Sequence, residues 1–204
     1  MAVYTRVNSK DINYIEKNYN IGKIKSFIGI KKGIENTNYL LKTKNKKFIL
    51  TIFEKRVQKK DLPFFMNLMD KLSNYKINCP EPQKNKKGSF LIKIKNKTGS
   101  IVSFVEGKDK LKLSEKNCYE IGKNIAKLHK ASKKIKLYRK NSLSLKEWPK
   151  ILNKIGNKSK IINPHLNSLM RNNFLQIKNK WPKNLPYGII HADLFIDNIF
   201  FKKN

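Results

Sequence analysis

Cysteine, arginine and acid are scarce in this sequence, and long apolar runs are missing. Two cysteines, Cys79 and Cys118, are too few for a disulfide framework and lack metal-ligand spacing; they fit a reducing cytosol. No apolar run reaches the ~18–20 residues that span a bilayer. The first residues, MAVYTRVNSKDINYIEKNYN, contain no apolar stretch of the kind that marks a secretory signal. A soluble, cytoplasmic protein with no membrane partner is expected.

Acidic residues number 14 against 46 lysines and arginines, a formal net charge of +32. Such a balance suits a nucleic-acid surface, yet three features argue against one. Arginine, the residue that reads bases and grips phosphates bidentately, occurs only at Arg6, Arg56, Arg139 and Arg171. The lysines are spread along the chain and do not gather into one stripe. Lysine, asparagine and isoleucine are over-used together, as a coding bias toward A and T produces. The charge still favours anionic ligands.

What is present is a clear order of elements. KIKSFIGI (23–30) alternates apolar and polar residues, as a half-buried strand does. A turn with glycine follows, and NYLLKT (38–43) with KFILTIF (47–53) forms a hairpin around Lys44-Asn45-Lys46. Asp61 and Pro63 suit a helix start, with Phe64, Phe65, Leu68, Met69 and Leu72 at helical spacing behind them. Cys79-Pro80-Glu81-Pro82 forces an extended exit. SFLIKIK (89–95), a turn NKTG and SIVSFV (100–105) make a second hairpin. Helical patterns then take over: Cys118, Ile121, Ile125 and Leu128 share one stripe, and Asn163-Pro164 opens a second helix running to Trp181. The class is α+β: a five-stranded antiparallel sheet plus one helix over 1–106, then a helical part over 107–204, divided at Glu106-Gly107-Lys108.

Inside the apolar run GIIHADLFIDNIFF (188–201) sit two carboxylates, Asp193 and Asp197. A buried, unpaired carboxylate costs several kcal/mol, roughly, so each needs a task. Residues 191–198 match H-x-D-x-x-x-x-N, the spacing of a kinase catalytic loop. There the Asp takes the proton of the acceptor hydroxyl, and the Asn reaches a magnesium ion on the nucleotide phosphates. The alternative is a buried His-Asp pair with Asp197 as a turn residue. A preceding β-rich lobe, a boundary segment, two helical segments and a following strand, Ile199-Phe200-Phe201, favour the kinase loop.

The sequence resembles the homoserine kinases of the aminoglycoside phosphotransferase and choline kinase-like superfamily, which has the protein-kinase-like two-lobed fold. The similarity includes MAVYT, GIENTNYLL (33–41), FILTIFEKRV (48–57), DLPFFMNLMDKL (61–72), VSFVEGK (102–108), GKNIAKLH (122–129) and LPYGIIHADLFIDNIFF (185–201). The resemblance implies an ATP- and Mg2+-dependent kinase that phosphorylates the hydroxyl of L-homoserine, on the route to threonine. It implies that Asp193 is the catalytic base, Asn198 a magnesium ligand, and His191 a structural support of the loop. Gly33 to Asn38, with Asn36, would turn over the nucleotide phosphates, and Ser103 to Glu106, with Val105, would pair with adenine through its backbone.

Two departures from that pattern stand out. Where related kinases carry a phosphate-binding lysine on the third strand, this sequence has Thr51, with Lys55 and Arg56 just beyond. The second acidic metal ligand, expected on the strand after the loop, has no counterpart before Asn204, so an N-terminal fragment with an incomplete helical lobe and little activity is expected. The rival readings are a related kinase acting on choline, an aminoglycoside or a hydroxylated amine, and a non-catalytic nucleic-acid binder. His129 suits packing or a helix C-terminus, His165 an exposed position, and Trp148 and Trp181 core anchors of the helical part.

Overall fold

Alternation builds the sheet. In Lys47–Ile52 (β3), Phe48, Leu50 and Ile52 are buried on one face, as the two-residue period of a strand requires. The computed structural model describes residues 3–33, 35–54 and 57–202. Beside β3 lie Thr37–Lys42 (β2) and Lys97–Ser103 (β5), with Ser26–Gly29 (β1) and Leu91–Ile94 (β4) at the edges. The order is β1-β2-β3-β5-β4, and every pairing is antiparallel. Leu50 stands between Tyr39 and Ile101 in register.

One helix is expected beside this sheet, and the described residues form two α-helices there. Ser9–Asn18 (α1) begins with a capping box: Asn8 Oδ1 accepts from Asp11 N–H at 3.1 Å, and Asp11 Oδ2 accepts from Asn8 N–H at 2.9 Å. Its Ile12 and Ile15 join Val7, Tyr39, Leu41, Leu50 and Ile101 in the main core. Leu62–Asn74 (α2) carries Pro63 in its first turn as expected, but Asp61 at the N-cap position makes no side-chain capping bond.

The second hairpin is also shifted. Its turn is Lys95-Asn96, both with positive φ (47° and 63°), so β5 starts at Lys97 and not at Ser100. Two left-handed residues in a row match the twist of the flanking strands.

Glu115–Ser132 (α3) is capped by Ser114. Of its expected stripe, Ile121, Ile125 and Leu128 are half-buried and Cys118 is exposed. A small second core joins Leu72 of α2 to Ala131 at the end of α3 and Ile135 just beyond it. No helix among the described residues is long and apolar enough to cross a membrane.

By packing, the chain forms two compact units, Met1–Leu137 with Gly188–Asn204, and Tyr138–Tyr187. The second contains Trp148–Ile155 (α4) and Leu166–Lys180 (α5). Trp148 lies 6.2 Å from Phe174 and 6.1 Å from Trp181, ring centroid to centroid. Trp181 follows α5 and stays 44% exposed, so it forms the rim of this cluster and not its interior. In the first unit Lys108 and Phe201 exchange backbone hydrogen bonds of 3.0 and 2.9 Å. The expected strand Ile199-Phe200-Phe201 amounts to this single bridge. Beside it Gly107, at φ 142°, sits where a Cβ would meet the Phe201 carbonyl oxygen at 3.0 Å.

Candidate active site

Three polar residues sit where the chain enters β2, Asn36 just before it and Thr37 and Asn38 at its start, and alternation sends them to opposite sides. Thr37 is fully buried, while Asn36 and Asn38 line a cleft of about 510 Å3 with Gly33 and Glu35. The other wall of this cleft is Asp193, Phe195, Ile196, Asp197 and Asn198. All of these residues belong to the same compact unit. Asp193, Asn198 and the 33–38 turn, far apart in the chain, are thus brought to one cleft.

On the first wall, internal bonds fix which end of each amide faces outward. Asn36 Oδ1 accepts from Glu54 N–H at 3.3 Å, which leaves the Asn36 NH2 as a donor. Asn38 Oδ1 accepts from Thr51 Oγ1 at 2.8 Å, which leaves a second NH2. Two amide donors suit an anion such as a phosphate. Gly33, at φ 106° with nothing near its missing Cβ, bends the turn in a conformation that other residues rarely adopt.

On the second wall, Asn198 Nδ2 donates to the Asp193 carbonyl at 2.9 Å and to Asp193 Oδ2 at 3.1 Å. The side chain thereby closes the turn and orients the carboxylate. Ala192, just before, takes φ 64°, a left-handed conformation uncommon for a residue with a Cβ and concentrated at functional sites. Asp193 and Asp197 are both exposed. The expectation that the apolar run buries them fails, because Phe195, Ile196 and Phe200 are themselves 68%, 36% and 52% exposed. The carboxylates need no buried partner; they face the cleft. His191 is exposed too, and no hydrogen bond of its side chain occurs among the described residues.

A divalent cation can be tested against these donors. With its NH2 committed to Asp193, Asn198 retains Oδ1 as a hard oxygen ligand beside two carboxylates. Among the described residues no group of three or more His, Cys, Asp or Glu could hold a metal by itself. The donors fit a cation that takes its remaining ligands from nucleotide phosphates and water.

Of the other expected site residues, Thr51 serves Asn38 and offers no charge. Lys55 and Arg56 lie outside the described residues. Ser103 N–H is taken by the Glu81 carbonyl at 2.8 Å, and Phe104 N–H by Lys47 at 3.1 Å. No hydrogen bond among the described residues engages the backbone of Val105.

The sequence reading did not single out Glu54, which is the polar centre behind the turn. Its side chain, 9% exposed, accepts from Thr37 Oγ1 at 2.6 Å and Thr5 Oγ1 at 2.7 Å, and pairs with Lys97. Burial pushes its carboxyl up, but the hydrogen bonds from Lys97, Thr37 and Thr5 together outweigh this and hold it below the usual range. A group depressed in the folded state stabilises above its unfolded pKa, about 4.3 for Glu, and loses that contribution as pH falls through the folded value. Urea midpoints measured from pH 7 down to pH 3 should therefore fall less steeply for Glu54→Gln than for the parent. Parallel profiles would contradict this.

Several known proteins are similar to this chain. The model of the phosphotransferase enzyme family matches residues 26–204. Homoserine kinases of Rhizobium rhizogenes and Parvibaculum lavamentivorans are 39% and 38% identical over 201 residues, 98% of this chain. The chain spans 63% of the length of these curated relatives. Among solved structures, spectinomycin phosphotransferase in complex with ADP and spectinomycin aligns at TM-score 0.70 and 14% identity, over 98% of this chain and 67% of that one. Amicoumacin kinase with AMP-PNP and Ca2+ aligns at TM-score 0.71 and 16% identity, over 97% and 61%. At such identities these two speak for the fold alone, the α+β fold of protein-kinase-like phosphotransferases.

Proposed function

We propose, from the premise that this chain belongs to the phosphotransferase enzyme family, that it carries the nucleotide-binding lobe and catalytic loop of an ATP-dependent kinase acting on L-homoserine. The observation that carries the reading is the pairing of Asn198 with Asp193 across a cleft from the amide donors of Asn36 and Asn38. Homoserine as the acceptor rests on the names of the curated relatives. Residues 1–106 form the nucleotide lobe in this proposal, and Val105 the backbone contact to adenine. A cytoplasmic location goes with it.

Asp193 accepts the proton of the substrate hydroxyl as its oxygen attacks the γ-phosphorus. The bond from that phosphorus to the β–γ bridging oxygen breaks, and ADP departs. Asn36 and Asn38 hold phosphate oxygens by N–H donation, so the transferring group stays in line. Asn198 fixes the Asp193 carboxylate, and its Oδ1 would hold a magnesium ion, which would supply charge neutralisation for the phosphates. No protein nucleophile takes part.

The test is ADP formation by the gene product carrying this sequence, with homoserine, choline and kanamycin compared. The expected kcat/KM for homoserine exceeds the others by at least about a hundredfold, since neither rival carries the carboxylate beside an amine that a homoserine site would bond, and such a site would be left with unpaired polar groups. A faster reaction with choline or kanamycin, or ADP formation with none of the three, would overturn the substrate assignment.

A further inference from the structure

We infer that Thr37, through Glu54, is a positioning residue that holds the phosphate-binding turn in its working shape by tying it to the N-terminal segment. This rests on the kinase reading above and deepens it. Among the described residues of this turn, Gly33 has open space around it, and Lys32 and Glu35 are exposed, with Lys32 paired to Asp109 at 2.5 Å. Its outgoing arm is held from behind.

The Thr37 hydroxyl accepts from the backbone N–H groups of Tyr4 and Thr5, at 3.0 and 3.1 Å, and donates to Glu54 Oε1 at 2.6 Å. Thr5 Oγ1 donates to the same carboxylate oxygen at 2.7 Å, and Lys97 at the start of β5 reaches both Thr5 Oγ1 and Glu54. Four segments distant in sequence therefore meet at one hydroxyl and one carboxylate. The backbone N–H of that same Glu54 orients Asn36, whose NH2 faces the cleft. A single residue thus sets both the buried anchor of the turn and the donor it presents. Buried polar groups held this fully rigidify what they touch, and removing one member strands the others.

Positioning of this kind acts on nucleotide affinity more than on the chemical step, because Asp193 and Asn198 do not touch the node. Thr37→Val keeps the shape and removes the hydroxyl; Thr37→Ser restores it. ADP and ATP-analogue affinities are measured by titration calorimetry on the parent, both Thr37 variants and Thr5→Ala, each first checked for a parent-like circular dichroism spectrum. KM for ATP and kcat are measured in parallel. The expected result is a rise of about tenfold or more in Kd and in KM for ATP with Thr37→Val, the scale of one lost buried hydrogen bond to a charged partner. A smaller rise accompanies Thr5→Ala, kcat changes less than about twofold, and Thr37→Ser recovers the parent affinity. Parent-like affinity in folded Thr37→Val would overturn the inference, as would failure of Thr37→Ser to recover binding. Should Thr37→Val not fold, Thr5→Ala with parent-like Kd and KM overturns it. A parent that binds no nucleotide would instead overturn the kinase reading itself.

Discussion

Replacing Asp193 by asparagine should lower homoserine-dependent ADP formation by about a thousandfold in kcat, within the 10²–10⁴ span of a lost general base. The substitution is nearly isosteric, and its Oδ1 can still accept from Asn198 Nδ2, which bonds Asp193 at 3.1 Å and also holds the 193 carbonyl at 2.9 Å. The loop geometry is thereby preserved while the proton acceptor is lost. Nucleotide affinity should change little, because the amide donors of Asn36 and Asn38 lie on the opposite wall. Calorimetric binding of ADP and steady-state turnover, measured on one preparation, separate the two effects. Undiminished turnover would exclude Asp193 as the base and turn attention to Asp197, four positions on in the same cleft.

Leu50→Ala should destabilise the fold by about 3 kcal/mol, within the range for deleting a buried leucine where the cavity cannot collapse. Leu50 has no exposed surface, and β3, which carries it, is paired on both sides. Tyr39 and Ile101 flank it in register, with Ile15 of α1 in the same core. A central strand with two ladders cannot move inward to fill the gap without breaking one of them. The measurement is the urea midpoint at unchanged slope. A loss below about 1 kcal/mol would mean that the core relaxes around the site as volume-conserving repacking does.

How much of this is visible in sequence follows from the range of the forces involved. The strands are legible because burial imposes a two-residue period that needs no partner to be recognised. Boundaries are less so: the Lys95-Asn96 turn is set by two left-handed residues, and neither is the glycine that would announce it. Helix α1 escapes notice because only Ile12 and Ile15 of its ten residues are buried, amid lysines and asparagines. Its capping box, Asn8 with Asp11, was the available signal. Asp193 and Asn198 are legible because a loop that closes on itself fixes their spacing locally. Glu54 is not, since its partners Thr5, Thr37 and Lys97 are 49, 17 and 43 residues away, and only the strand pairing together with the path of the N-terminal segment brings them to it. The supposed burial of Asp193 and Asp197 failed for a related reason. Apolar neighbours in sequence imply burial only when the backbone is regular, and residues Ile196–Asn198 form a short 3₁₀ turn.

The bridge between Lys108 and Phe201 has a mechanical meaning. It joins the chain just beyond β5 to the chain just beyond the catalytic loop by two backbone hydrogen bonds. Gly107 lets the strands approach until even one added carbon would press on the Phe201 carbonyl at 3.0 Å. The close approach leaves no room for a side chain at position 107. If Val105 meets the nucleotide base as proposed, the segment that does so is tied by these two bonds to the chain that follows Asp193 and Asn198.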